Sequence, residues 1–265
     1  MIRLLAVFMV LVPQLIFAND LLMSLMNATF KVFNSDSTAT GFIIQDTRAG
    51  SGTTNVILVT ADHALAKAKG DFVLVVCRRK NSAGVWERYD HKVIIRNDEK
   101  KLWVSHPTQD IAALRFSMPP NVVYQALDLS QIAEEKELVA SKMTVGTDLF
   151  FFSYPGLVEA NSAAFPLYRP CVIAGYPLFP TKQFPVYRLS MPAHGGDSGA
   201  PVSLAKTANG KPLIVGLVTA RMLNDDKLET KGEHIEFKRD LDIGCMVQSP
   251  FIRETIQLLD TYSLQ

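Results

Sequence analysis

The strongest chemical signal in the sequence is a glycine-rich segment around Ser198, which reads Gly-Gly-Asp-Ser-Gly-Ala-Pro over residues 195–201. Glycines on both sides of the serine allow tight backbone conformations and a close substrate approach that a Cβ would obstruct. Backbone N–H groups brought toward one point can stabilise the negative oxygen that forms when a serine attacks a carbonyl group. The segment therefore predicts a nucleophilic serine. The alternative is a glycine-rich β-turn with an incidental serine.

A serine hydroxyl at its ordinary pKa is a poor nucleophile, so a base and an orienting acid must come from elsewhere in the chain. His63 directly follows an apolar strand-like run, and Asp110 stands at the start of another such run. Asp62 is a competing partner for His63. Because neighbouring residues on a chain generally point apart, we prefer Asp110 as the acid.

The elements that must position these residues are mostly short strands. Runs of β-branched or aromatic residues alternate with turn residues, and they lie at 41–44, 56–59, 72–76, 93–95, 149–152, 186–189 and 213–218. This pattern predicts an all-β barrel or sandwich. Apolar spacing adds a short helix over 20–30 and an amphipathic C-terminal helix over 249–259. Residues 128–138 form either a brief helix or a connector.

The segments around His63, Asp110 and Ser198 resemble the signatures of the chymotrypsin/trypsin-like serine protease family, in the family's order and at intervals of 47 and 88 residues. The resemblance covers roughly residues 38–222. The Ser-Tyr-Pro-Gly turn at 153–156 and the run at 41–44 resemble the bacterial-type subgroup of trypsin-like peptidases. The resemblance implies two six-stranded antiparallel barrels, the chymotrypsin-like double barrel, with a short C-terminal helix. Residues 19–125 would carry His63 and Asp110, and residues 126–265 would carry Ser198 and the helix.

The resemblance also implies the roles of the site residues. Ser198 would attack a peptide carbonyl, His63 would accept its proton, and Asp110 would orient the imidazole. The N–H groups of Gly196 and Ser198 would form the oxyanion hole. The implied function is an exported serine endopeptidase that cleaves protein or peptide substrates through an acyl-enzyme. The alternatives are a catalytically silent or latent protease-like binding module and, less favoured, an esterase with the same triad.

Substrate specificity rests on residues beside Ser198. Pro192 stands where relatives that cleave after basic residues keep an acid, so a preference for Lys or Arg is not expected. Thr219, Ala220 and Arg221 match the strand that forms one pocket wall, and Arg221 could narrow the pocket, attract an acidic side chain or point to solvent. His194 either touches a substrate side chain or faces solvent. The resemblance favours a small or apolar residue before the scissile bond.

The activation of the site raises a separate question at Asp197. Many animal members of the family use a newly freed N-terminal amine to pair with the acid beside the serine. The sequence shows no such N-terminal segment, so either Asp197 has another buried partner or its role differs.

Composition and the N-terminal residues bear on partners and location. The 27 basic and 26 acidic side chains give a net charge of +1, which offers no electrostatic reason to expect nucleic acid as a partner. Residues 1–18 have the layout of a secretory signal peptide, with an uncleaved membrane anchor as the alternative. We therefore expect a secreted or periplasmic protein without stable membrane association.

The three cysteines lack metal-ligand spacing and allow at most one disulfide, and neither a metal nor another cofactor is expected.

Overall fold

The computed structural model describes residues 21–46, 55–230 and 233–262, so the predicted signal peptide lies outside the described residues. The strands are β1 (Thr29–Phe33), β2 (Thr38–Gln45), β3 (Asn55–Thr60), β4 (Phe72–Lys80), β5 (Trp86–Ile94), β6 (Arg96–Asn97), β7 (Lys100–Lys101), β8 (Val104–Ser105), β9 (Ala112–Ser117), β10 (Asp148–Ser153), β11 (Leu167–Ile173), β12 (Val186–Ser190), β13 (Pro201–Leu204), β14 (Ile214–Thr230) and β15 (Glu233–Gln248). Helical residues are α1 (21–28), α2 (Asp62–Lys67), α3 (Glu135–Ala140) and α4 (Ser249–Tyr262), with 3-10 turns at Leu129–Gln131 and Pro155–Leu157.

The N-terminal strands form one antiparallel sheet in the order β5-β4-β1-β2-β3-β9-β8. Its central strands are buried on both faces, which explains why they are continuously apolar in sequence. Phe42 and Ile44 of β2 pack into one core cluster, and Ile43 between them packs into another. Strand β3 alternates in the same way between the two clusters, so the centre of the sheet is rigidly held beside the candidate site.

The C-terminal strands close into a six-stranded barrel in the order β10-β11-β12-β15-β14-β13. Its interior is filled by buried side chains from different strands, among them Phe151, Leu189, Val202 and Met246. Helix α4 packs its apolar face, including Ile252 and Ile256, into the cluster that also contains Phe42 and Ile57. The helix therefore covers the seam between the sheet and the barrel.

The predicted all-β fold with a closed six-stranded barrel and a C-terminal helix is confirmed, but a second closed barrel is not shown. Among the described residues, the N-terminal sheet has seven strands and ends at β5 on one side and at β8 on the other. Strand β8 has only two residues, and β6 and β7 pair with each other in a separate two-stranded sheet. These short segments leave too little backbone at that edge to join it to β5.

Two further expectations concern helices and cysteines. The helix expected over 20–30 gives way to β1 at Thr29. No helix in the described ranges is long and apolar enough to cross a membrane.

The disulfide left open by the sequence is absent, because Cys77, Cys171 and Cys245 are buried free thiols. Burial raises the pKa of both Cys77 and Cys171 to about 12, so these two thiols are unreactive at neutral pH.

Candidate active site

His63 and Asp110 lie together at one end of two paired strands. His63 is in the first turn of α2, which follows β3, and Asp110 stands just before β9, whose Ala112 pairs with Thr60 at the end of β3. The Nδ1 atom of His63 lies 2.6 Å from Asp110 Oδ2, and the backbone N–H of His63 donates to Asp110 Oδ1 at 2.9 Å. This two-point contact fixes the ring orientation and leaves Nε2 available as a proton acceptor.

The electrostatics of the pair favour an ionised Asp110. Burial acts to raise the pKa of Asp110, but hydrogen bonds from the imidazole and the backbone N–H of His63 outweigh it, so the pKa lies below its ordinary value. Asp62 points elsewhere, since its carboxylate accepts hydrogen bonds from Trp103 Nε1 at 2.9 Å and from the Ser105 hydroxyl. The structure therefore pairs His63 with Asp110, as we preferred from the sequence.

Ser198 lies in the loop between β12 and β13, which is held against both halves of the protein. Its carbonyl accepts a hydrogen bond from Thr40 N–H of β2 at 2.8 Å, and Gly199 N–H donates to the Val218 carbonyl of β14 at 2.7 Å. Gly199 has φ +87°, and a Cβ there would lie 2.0 Å from the Thr40 carbonyl oxygen and 3.0 Å from Ala61 N. The positive φ and the lack of space for a Cβ explain the glycine at this point, and the close approach of the loop to Thr40 and Ala61 places Ser198 near the strand end that leads to His63.

The backbone before Ser198 is arranged to present two N–H groups. The Gly195 carbonyl accepts a hydrogen bond from Gly156 N–H at 2.7 Å, so the N–H of Gly196, on the opposite side of the same peptide plane, points away from that contact. In the part of the chain that the structure describes, neither Gly196 N–H nor Ser198 N–H donates to a protein acceptor. Two such N–H groups close to a serine hydroxyl can donate hydrogen bonds to a negative oxygen.

Asp197 has a buried partner, one of the two alternatives that the sequence left open. It is 1% exposed, and its carboxylate accepts hydrogen bonds from Arg169 Nη1 at 3.2 Å, the Ser153 hydroxyl at 2.7 Å and His194 N–H at 2.8 Å. Arg169 lies on β11, and its Nη2 also donates to the Pro192 carbonyl. The Arg169 guanidinium thus holds two points of the loop that leads to Ser198.

The Ser198 hydroxyl bonds to the backbone and not to the imidazole. It donates to the Thr219 carbonyl at 3.3 Å, and no hydrogen bond joins Ser198 Oγ to His63 among the described residues. In structures without substrate, hydrogen bonds between catalytic groups are often long or unformed, and a change of one side-chain rotamer alters them. The described residues thus include a paired histidine and aspartate, a serine hydroxyl bonded to a backbone carbonyl, and two N–H groups without a protein acceptor.

The predicted substrate-binding residues lie on two segments next to Ser198. Pro192 and His194 are exposed on one segment, and on the other Thr219 is buried while Ala220 is exposed. Arg221 connects the segments, because its Nη1 donates to the Ala193 carbonyl at 3.4 Å and to Asp240 at 3.0 Å.

Sequence reasoning missed Arg169 and Asp240. It left open whether Asp197 has a buried partner, and Arg169 and Asp240 stand in strands far along the chain from their partners. Only the pairing of strands inside the barrel places them, and the local sequence carries no signal of that pairing.

Comparison with known proteins was made at the level of sequence and of structure. Neither the protein-family models nor the curated proteins searched gave a match to the sequence. Among solved structures, Rv3671c from M. tuberculosis H37Rv, a serine-to-alanine mutant in an inactive form, is similar over 90% of this chain and 89% of its own, with 15% identity and a TM-score of 0.50. The protease Anisep from Arthrobacter nicotinovorans is similar over 89% of this chain and 96% of its own, with 13% identity and a TM-score of 0.51.

The chain therefore shares its fold with these two structures, one of which is a protease. The predicted resemblance is thereby confirmed at the level of fold. Identities this low carry the architecture and leave the activity to be argued from the site itself.

Proposed function

We propose that this protein is an exported serine endopeptidase that acts through Ser198, His63 and Asp110. The observation that carries the proposal is the joint geometry of two loops. The His63 ring is fixed by Asp110 with its Nε2 free, and the loop of Ser198 presents the unpaired N–H groups of Gly196 and Ser198. A site that only binds a ligand would not need both an oriented imidazole and a pair of unpaired N–H donors.

The proposed reaction begins when Ser198 Oγ rotates from the Thr219 carbonyl toward His63 and attacks the carbonyl carbon of a peptide bond. His63 Nε2 takes the hydroxyl proton, and Asp110 stabilises the resulting imidazolium. The oxygen of the tetrahedral intermediate accepts hydrogen bonds from Gly196 and Ser198 N–H. When the C–N bond breaks, His63 gives its proton to the leaving amine. Water then attacks the acyl-enzyme by the same steps and releases the acid product and Ser198.

The dimensions of the region between the two pocket segments support a small residue before the scissile bond. Met191, which is 3% exposed, fills the space beside Gly244, where a Cβ would lie 2.9 Å from the Met191 sulfur. The Arg221 guanidinium spans the gap to the Ala193 carbonyl. The Arg221 contact narrows the space between the two segments, and the residue at position 192 is a proline and not an acid that would attract a lysine or arginine.

Export is proposed from residues 1–18 alone, whose basic start, apolar run and small residue at position 18 have the layout of a cleaved signal. On this basis we place the mature protein in the periplasm or outside the cell, with protein or peptide substrates.

A catalytically silent or latent binding module is the second candidate, and one observation favours it. The Ser198 hydroxyl bonds to the Thr219 carbonyl instead of His63, which is the state expected of a site that does not use its nucleophile. The two candidates differ in whether this rotamer changes when a substrate carbonyl arrives.

Hydrolysis of denatured proteins by the purified mature protein tests the proposal. We expect new peptide termini, identified by mass spectrometry, for the wild type and none for Ser198→Ala, which removes only the hydroxyl. Cleavage of equal rate by wild type and Ser198→Ala would assign the activity to a contaminant. Binding of peptides without cleavage by either protein would support the silent module.

A further inference from the structure

The longest hairpin of the protein leaves the barrel beside Ser198 and continues as a two-stranded ribbon. Strands β14 and β15 pair from Gly216↔Gln248 outward to Thr230↔Glu233, whereas β13 pairs with β14 only as far as Leu217. We define the ribbon as residues 222–230 and 233–241. From Arg221 to Thr230, β14 extends about 30 Å at the usual rise of roughly 3.3 Å per residue.

The side of β14 opposite β15 is a strand edge along this length, and the ladder to β15 has bulges between Val218 and Ala220 and between Arg221 and Leu223. Gly199 and Ala200 exchange hydrogen bonds with Val218 on that side, and the Thr219 carbonyl lies 3.3 Å from Ser198 Oγ. Beyond this point, no strand of the described residues pairs with β14 on the Ser198 side. The edge therefore begins at the reacting hydroxyl and runs outward from it.

The ribbon carries cross-strand ion pairs, and no third strand of the described residues pairs with it. Lys227 pairs with Glu236 at 2.8 Å and Arg239 pairs with Asp226 at 2.8 Å, while Phe237 on one face is 45% exposed. An isolated two-stranded ribbon is marginally stable, and a third strand gives the smallest sheet that is stable on its own. A free edge of this kind binds an extended polypeptide by strand addition.

We propose that the ribbon binds the substrate chain on the N-terminal side of the scissile bond, as an added strand along β14 well beyond Thr219–Arg221. The substrate class is an extended polypeptide with many residues before the cleavage site, recognised through its backbone. This inference rests on the proposed function, because it takes Ser198 as the point where the substrate strand ends. A short peptide would reach only the start of the edge.

The test compares two peptides with the same residues around the cleavage site, one of which carries six more residues on the N-terminal side. A third peptide carries the same six residues on the C-terminal side as a length control. Each further backbone hydrogen bond between the substrate and the ribbon adds to the affinity. We therefore expect the N-terminal extension to raise kcat/KM by about tenfold or more, chiefly through KM, and N-methylation of its amides to remove the gain.

The matched variant replaces residues 225–238 with Asn-Gly, so that the opposed pair Asn224 and Arg239 is joined by a two-residue hairpin turn. This shortened protein should cleave the short peptide at the wild-type rate and lose the gain from the extension. Equal kcat/KM for the short and extended peptides in the wild type would overturn the proposal. A gain from the extension that persists in the shortened protein would overturn it as well.

If the proposed function is wrong, the wild type will cleave neither peptide. This result is distinct from the two outcomes that would overturn the ribbon proposal. Binding to Ser198→Ala, followed by fluorescence anisotropy of labelled peptides, still tests the ribbon in that case. We expect the extended peptide to bind about tenfold more tightly than the short one, and equal affinity would contradict strand addition.

Discussion

Replacement of Arg169 by methionine tests whether this side chain holds the loop of Ser198 in its working form. The Arg169 side chain is 15% exposed and pairs with the 1% exposed carboxylate of Asp197. Methionine retains much of the apolar volume but removes the charge. Asp197 would then keep only the hydrogen bonds from the Ser153 hydroxyl and from His194 N–H.

The magnitude follows from the burial of the pair. Removal of one partner of a buried ion pair costs about 3–5 kcal/mol, because the other charge is left uncompensated. The loop can relieve that cost by turning Asp197 toward solvent, which would displace Gly196 N–H from the oxyanion site. Loss of one oxyanion donor lowers kcat by roughly 10²–10³-fold. We expect Arg169→Met to show such a loss in kcat with a folded protein.

Two assays separate the loop from general stability. Steady-state hydrolysis of a peptide gives kcat and KM, and urea unfolding gives the free energy of unfolding. Arg188→Met is the matched control, since Arg188 lies exposed on the neighbouring strand β12 and its guanidinium makes a hydrogen bond only to Cys245 Sγ among the described residues. The double variant Arg169→Met/Asp197→Asn should recover part of the lost kcat, because a neutral amide needs no cation. Wild-type kcat in Arg169→Met would refute the reasoning.

Further predictions concern the acid and the glycine of the site. Asp110→Asn should lower kcat by roughly 10⁴-fold while the protein stays folded, since the amide no longer selects the required imidazole tautomer; a loss below tenfold in peptide hydrolysis would argue against Asp110 as the orienting acid. Because the pKa of Asp110 is lowered, its contribution to stability is complete above about pH 4 and is lost as the pH falls through the lowered pKa. The difference in the free energy of unfolding between wild type and Asp110→Asn, measured in urea, should therefore become smaller in acid. A difference that stays constant with pH would contradict this. Gly199→Ala should destabilise the fold by about 2–5 kcal/mol through its positive φ and the Cβ contact with the Thr40 carbonyl, as measured by urea unfolding; unchanged stability would show that the loop adapts.

Much of the fold could be predicted because the strands are short, apolar and separated by turn residues. The double coverage of β2 and β3 explains why residues such as Ile43 and Leu58 are apolar where a half-exposed strand would alternate. Whether the N-terminal sheet closes into a barrel could not be predicted, since this depends on the length of edge strands such as β8. Two residues of extended backbone leave no distinct pattern in a sequence.

In the candidate site, too, residues in a distinct local segment could be predicted, whereas residues positioned by the pairing of distant strands could not. His63, Asp110 and Ser198 could be singled out as candidates because each stands in a local segment of distinct composition. Arg169 was missed because β11 and the loop of Asp197 meet only through the barrel. The direction of Arg221 was left open, and it depends on Asp240, which the β14–β15 pairing brings next to it.

Covalent labelling of Ser198 by a fluorophosphonate tests the central claim most directly, because this reagent reacts with activated serines and leaves other hydroxyls unmodified. The purified mature protein should take up one phosphonate per chain, located on Ser198 by tandem mass spectrometry, and His63→Ala should be labelled far more slowly. A well-folded wild-type protein that remains unlabelled at Ser198 would contradict the proposed activity and favour the silent binding module.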